Sequence, residues 1–415
     1  MRQAAGTVRE KRRAVLRYTT MFTARTNWNL QTNRFAQALE AHRSAGKALL
    51  DLAASNPTTC GFAYPAQEIL AALADPRALE YLPESKGLRS AREAVAEYYL
   101  GRPGFGICAG SVDPERIILT AGTSEAYGYI FRLLCEPGDE ILFPAPSYPL
   151  LEYLATLNDV KLIPYPLFYD HGWHMDLAAL RAALTSRSRA VLVVHPNNPT
   201  GSFVMPKEAT ELHSLCAERE MAIVADEVFL DYSAESKPHS TFAFDNAALA
   251  FTLSGLSKIS ALPQMKLAWL VASGPPSLVQ RAMERLEIIA DTFLSPGTPV
   301  QLALPKLLDI REAVQRQLQN RIAANLAHLD SALAPNKLLS RLDRQGGWYA
   351  TLRVPATGSD EDLAVTLLEK HDVLVHPGRF FDFRQEGFLV LSSITPESDF
   401  REGVRRVLLH FNAGH

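Results

Sequence analysis

The chain has no run of about 18 consecutive apolar residues, and its first twenty residues lack the apolar stretch of a secretory signal. Neither a membrane-spanning helix nor an export signal is expected. Cysteine is scarce: Cys60, Cys108, Cys135 and Cys216 stand far apart, with no Cys-x-x-Cys pair and no histidine at metal-ligand spacing. That removes a disulfide framework and a zinc site, and makes reduced thiols in a cytoplasmic protein the expectation. An excess of either charge is missing too. The 42 Lys and Arg against 45 Asp and Glu give a formal net charge of −3, too balanced for recognition of nucleic acid or a membrane surface. Repeats, a Gly-x-Gly-x-x-Gly fingerprint and a Gly-x-Ser-x-Gly elbow are also absent, which leaves arrays, dinucleotide binding and serine hydrolysis without sequence support.

What is present begins with length. A chain of 415 residues exceeds one ordinary core and implies two domains, one large and one smaller. We expect a basic tail over 1–20, an N-terminal arm with part of the small domain over 21–60, a large domain over 61–310 and the rest of the small domain over 311–415. The tail carries Arg2, Arg9, Lys11, Arg12, Arg13 and Arg17 against Glu10 alone, a composition for a disordered extension.

Hydrophobic periodicity predicts helices over 36–50, 68–74, 88–99, 125–135, 277–290 and 300–333, and strands over 50–54, 117–120 and 140–143. Between 161 and 270 strands and helices alternate, the pattern of a doubly wound α/β sheet. The last seventy residues read as an α+β unit, with strands at 348–354, 373–376 and 388–391 and helices at 360–371 and 398–411.

Three apolar runs in the alternating part end in polar residues. The run 190–194 leads to Asn197, Asn198, Pro199, Thr200 and Gly201, the run 221–225 to Asp226 and Glu227, and the run 249–253 to Ser254, Gly255, Leu256, Ser257 and Lys258. Open parallel sheets bind ligands beyond the carboxyl ends of their strands, so Asn198, Asp226 and Lys258 are expected to converge. A lysine in a Ser/Gly turn is by itself an ordinary surface residue; the company is what makes it a candidate for chemistry. The turn Gly122-Thr123-Ser124 before a helix can offer free N–H groups to a phosphate, although a plain N-cap would look the same. Tyr148, held in a Pro-Ser-Tyr-Pro segment, is either core or a stacking surface.

Taken in order, Tyr81-Leu82-Pro83, Gly122-Thr123-Ser124, Pro146-Ser147-Tyr148-Pro149, Asn197-Asn198-Pro199-Thr200-Gly201, Asp226-Glu227 and Ser254-x-x-Ser257-Lys258 resemble the class I/II aminotransferases, pyridoxal-phosphate enzymes of the aspartate-aminotransferase-like fold. The resemblance spans residue 50 to the C-terminus. It implies a ping-pong transfer of an amino group between an amino acid or amine and a 2-oxo acid. Lys258 would form the Schiff base with the cofactor aldehyde and then move the proton. Asp226 would pair with the pyridine nitrogen, Asn198 with the ring oxygen, and Tyr148 would stack on the ring. Gly122, Thr123, Ser124, Lys266 and Ser254 or Ser257 would hold the phosphate, with Tyr81 arriving from the second subunit of a homodimer.

Two departures accompany the likeness. Phe229 stands where a tyrosine usually lies beside the ring oxygen, and Val390, in Leu389-Val390-Leu391-Ser392, stands where an arginine usually grips the substrate carboxylate. Arg379, with Arg25 as a weaker candidate, is one replacement for that arginine, and Ser55 a further candidate substrate contact. Val390 also keeps a pyridoxal-phosphate lyase or decarboxylase open as the alternative, since the protein decides which bond breaks.

Overall fold

The computed structural model describes residues 21–106, 110–234, 239–294 and 296–412, so the basic tail expected over 1–20 lies outside the described residues. Apolar runs bounded by turn residues set the strands. In chain order they are β1 (Leu50–Asp51), β2 (Ile117–Thr120), β3 (Glu140–Ala145), β4 (Lys161–Tyr169), β5 (Trp173–Met175), β6 (Ser188–Val194), β7 (Ala222–Asp226), β8 (Ala250–Gly255), β9 (Ala268–Ser273), β10 (Ser340–Arg341), β11 (Tyr349–Arg353), β12 (Val373–Leu374), β13 (His376–Pro377) and β14 (Phe388–Ser392).

Eight strands form one sheet in the order β2-β9-β8-β7-β6-β3-β4-β5. Strands β4, β3, β6, β7 and β8 run parallel, and β9 is antiparallel to both β8 and β2. Two reversals restore the direction, so β2 points the same way as β8. The C-terminal ends of β2, β3, β6, β7 and β8 and the start of β9 therefore share one edge, the edge at which open α/β sheets place ligands.

The sheet is covered on both faces. Ile118, Phe251, Leu253 and Leu270 pack with Ile130 and Leu286 from helices Thr123–Leu134 and Pro276–Phe293. The alternate residues Ile117, Leu119, Trp269 and Val271 pack with Val95 and Leu304 from helices Arg89–Tyr99 and Thr298–Asp309. This two-sided burial explains why β2, β8 and β9 are apolar without alternation. The fold is α/β, with a mixed sheet whose central part is parallel.

A smaller unit carries the four-stranded sheet β10-β11-β14-β13 and the parallel pair β1-β12. Its core joins Phe35, Leu52 and Ala53 to Leu352, Leu389, Leu391 and Phe400, which shows why the N-terminal arm and the C-terminal third belong together. Helix Asp360–His371 keeps its expected bounds because Ser359 caps it, accepting from the Asp362 N–H at 3.0 Å. Elsewhere the sequence reading shifts. The helix expected over 36–50 is Arg34–Ser44, and the strand expected over 50–54 keeps only two residues because the pairing with β12 ends there. The helical stretch 300–333 is two helices, Thr298–Asp309 and Arg311–Leu333, meeting at Ile310. The single run 373–376 is divided between two sheets, since β12 pairs with β1 and β13 with β14.

Asp231 ties the two units. It accepts from Tyr98 (3.0 Å), from Arg102 (2.7 Å) and from Gln315 of the helix Arg311–Leu333 (2.7 Å). The Asp231 side chain is only 7% exposed, so the pair with Arg102 is largely desolvated. Asp231→Ala leaves that guanidinium without its counter-charge, and we expect a loss of about 3 kcal/mol in urea unfolding.

Candidate active site

Lys258 lies in the short helix Leu256–Ile259 directly after β8. Its Nζ is 4.9 Å from the ring centroid of Trp348 and 5.5 Å from that of Phe229. Desolvation lowers the amine pKa to about 8, while the negative charge of Asp226 works in the opposite direction. The result is an amine near its titration midpoint at mildly alkaline pH, the state in which it can act both as nucleophile and as proton carrier.

Asp226 closes β7, the strand beside β8. The Tyr127 hydroxyl donates to its Oδ2 at 2.9 Å and the Val228 N–H to its Oδ1 at 3.2 Å. Desolvation raises its pKa, and these two bonds and Lys258 pull it down. Such a carboxylate is stabilised by a cation, and a protonated pyridine nitrogen is one. Tyr127 carries no signal of this role in its own segment, since it sits on the second turn of the helix Thr123–Leu134.

Asn198 is supplied by the loop after β6. Its neighbour Asn197 fastens that loop, donating from Nδ2 to Pro146 O at 3.1 Å and to Thr200 Oγ1 at 2.9 Å. Asn198 itself is 7% exposed, and its Oδ1 has no hydrogen-bond partner among the described residues. A buried amide with an open bonding site is a place for a ligand group. Gly201 closes the loop at φ +70°, where a Cβ would stand 2.4 Å from Gly346 O. That close approach holds the segment leading to Trp348 against the large sheet.

At the end of β2, the helix begins at Thr123, two residues earlier than periodicity indicated, with Gly122 as N-cap and no side-chain cap. Among the described residues, no hydrogen bond involves the N–H groups of Gly122, Thr123 or Ser124. They and the helix dipole suit a phosphate. Lys266 is exposed, at φ 51°, just before β9, and so stands on the same edge. The Ser254 hydroxyl lies 3.4 Å from Glu227 O, whereas Ser257 is partly buried in the first turn after β8. Tyr148 follows β3 with 45% of its surface open, an uncovered aromatic face beside the Asp226 charge.

Some expected residues are placed elsewhere. Tyr81 is 76% exposed and makes no hydrogen bond or ring contact with this chain's site residues. Arg379 pairs with Glu361 at 2.9 Å and lines an open cavity of about 730 Å³ with Tyr148, Phe383 and Arg384. Arg25 pairs with Asp159 at 2.7 Å. Ser55 lies against the Tyr349 hydroxyl. Val390 is fully buried in one cluster with Phe229, Trp348 and Tyr349.

A desolvated lysine, a carboxylate on the adjacent strand, a buried amide and a helix start with open N–H groups lie along one sheet edge, and the chemistry of these residues fits a phosphorylated, aldehyde-bearing pyridine. Residues 27–407 match the family described as aminotransferase class I and II. The alanine aminotransferase of Mycobacterium tuberculosis is 28% identical over 390 residues, covering 90% of this chain and 87% of that one. The glutamate-pyruvate aminotransferase AlaA of Escherichia coli is 30% identical over 265 residues, 63% of this chain and 64% of that one. In structure, the alanine aminotransferase from Pyrococcus furiosus superposes with a TM-score of 0.82 at 23% identity, over 95% of this chain and 100% of that one. The chain belongs to the class I and II aminotransferases. It is a pyridoxal-phosphate-dependent transaminase.

Removing the Asp226 charge removes the influence that raises the Lys258 pKa. In the cofactor-free protein, Asp226→Asn should therefore shift the Lys258 titration below about 8. The pH dependence of Lys258 acylation, read by mass spectrometry, checks the direction; an unchanged or higher midpoint contradicts the assignment.

Proposed function

We propose that Lys258 is the residue that carries pyridoxal phosphate, with Asp226, Asn198, Tyr148 and the Gly122-Thr123-Ser124 turn as its seat, and that the chain moves an amino group between an amino acid and a 2-oxo acid. The observation that carries this reading is the Lys258 amine, lowered to about pKa 8 by desolvation and facing the Asp226 charge. When bound, the cofactor supplies the aldehyde and the electron sink.

The chain's own groups do the rest. Asp226, oriented by Tyr127 and Val228, would hold the pyridine nitrogen through its charge and favour the protonated form. Asn198 would orient the ring through its amide, and the helix start at Thr123 would hold the phosphate. Trp348 and Phe229 exclude water around the Lys258 Nζ, so the amine can take and return a proton. Phe229 has no hydroxyl, so it would offer the cofactor no hydrogen bond, a contact of about 0.5–1.5 kcal/mol where a tyrosine stands.

The relatives named above make alanine and pyruvate the first pair to try. Mixing the loaded protein with a panel of amino acids should convert the cofactor to its aminated form with one keto acid released per site. Lys258→Ala should give no conversion. Release of ammonia or carbon dioxide with the original absorbance restored would instead mark a lyase or decarboxylase.

We also infer a homodimer, in which the exposed Tyr81 reaches the neighbouring phosphate. Leu79 and Leu82 beside it are 92% and 51% exposed, an apolar strip suited to a subunit contact. Mixed dimers of Tyr81→Ala and Lys258→Ala subunits then contain one intact site, so co-expression should give more activity than either variant alone. Activity no greater than the parents' means that Tyr81 serves its own subunit or none. Among the described residues no helix is long and apolar enough to cross a membrane. With Cys60, Cys135 and Cys216 free, a reducing compartment such as the cytoplasm suits the chain.

A further inference from the structure

The small antiparallel sheet has two unlike faces. Along β11 and β14, Ala350, Leu352, Leu389 and Leu391 enter the small core, so Tyr349, Thr351, Val390 and Ser392 face the other way. Val390 is packed with Phe229 and Trp348, the two rings over the Lys258 Nζ, so this second face is a wall of the site. In register, Val390 lies opposite Thr351 on one side and His376 on the other, with Ser392 two residues along its own strand.

Each of these three neighbours carries a buried polar atom without a hydrogen-bond partner: Thr351 Oγ1, His376 Nδ1 and Ser392 Oγ. Three such atoms around one apolar residue are costly unless a ligand completes them. Hydroxyls and an imidazole can all donate, and a carboxylate accepts only. Desolvation lowers the His376 pKa while Asp51 on β1 raises it, and Phe380 and Phe381 are the rings packed nearest. An arriving carboxylate adds to the Asp51 effect and turns the imidazole into a charged donor. The two arginines with a claim to this task are committed, Arg379 to Glu361 and Arg25 to Asp159.

We propose that His376, Thr351 and Ser392 form the seat for the carboxylate of the amino-acid substrate, in place of an arginine at position 390. The inference rests on the transaminase reading of the same site and names its specificity residues.

The test compares each amino acid that perturbs the cofactor absorbance with its decarboxylated amine: alanine with ethylamine, glutamate with 4-aminobutyrate, arginine with agmatine. Wild type should favour the amino acid, and His376→Leu should reduce that preference about tenfold or more, through the dissociation constant rather than the maximal rate. Adding Val390→Arg to His376→Leu should restore it. Equal weakening for acid and amine, or no response to Val390→Arg, overturns the proposal, because a purely structural histidine would behave in that way. Should His376→Leu lose the cofactor absorbance, Thr351→Val and His376→Gln carry the same comparison, and an unchanged preference in both overturns it. Silence of the wild type towards every amino acid overturns the transaminase reading itself, a result distinguishable from failure of the seat alone.

Discussion

A lysine amine has to be kept out of water without being fixed as an ammonium ion, and the arrangement around Lys258 answers that requirement. Burial against Trp348 and Phe229 removes the hydration that favours the charged form. The nearest carboxylate, Asp226, restores part of the charge but is itself occupied by Tyr127 and Val228, so it makes no hydrogen bond to the amine. A direct ion pair would push the lysine pKa up and end its usefulness as a base. The two groups stand at the ends of adjacent strands, close enough to feel each other while Asp226 is bonded to other partners.

This separation depends on the sheet. Asp226 ends β7 and Lys258 stands in the helical turn directly after β8, and because these paired strands are buried on both faces the backbone pairing sets the relative position of the two groups. The second half of the pocket comes from the smaller unit through Trp348, and Asp231 and Gly201 fix that unit against the large sheet. Relative movement of the two units would open the aromatic wall and rehydrate the amine. Around Val390 this wall is apolar at its centre and polar at its margin, where Thr351, His376 and Ser392 stand.

Much of this was legible along the chain. Strand ends followed by Asn198, Asp226 and Lys258 were visible because apolar runs stop where the sheet edge meets the ligand. The bounds of the helix Asp360–His371 were an equally local signal, whereas the break at Ile310 was not, since periodicity ran through it as one helix over 300–333. Tyr127 and Trp348 were not legible as site residues, since each reads as core from its own segment and meets the site only through packing. The stretch 373–376 read as one strand because pattern reports extension and not the partner; β1 and β14 divide it between them.

The sequence by itself determined which groups are available at the strand ends, because residue type and local periodicity suffice for that. Tertiary structure decided that they meet. The insertion of β9 antiparallel between β2 and β8 turns β2 so that the Gly122 helix start opens on the edge carrying Lys258. Register across β11, β14 and β13 decided that His376 and Thr351 flank Val390, since side chains share a face only when strands pair in step. Pairing and register join residues far apart in the chain, and no local stretch of sequence encodes them.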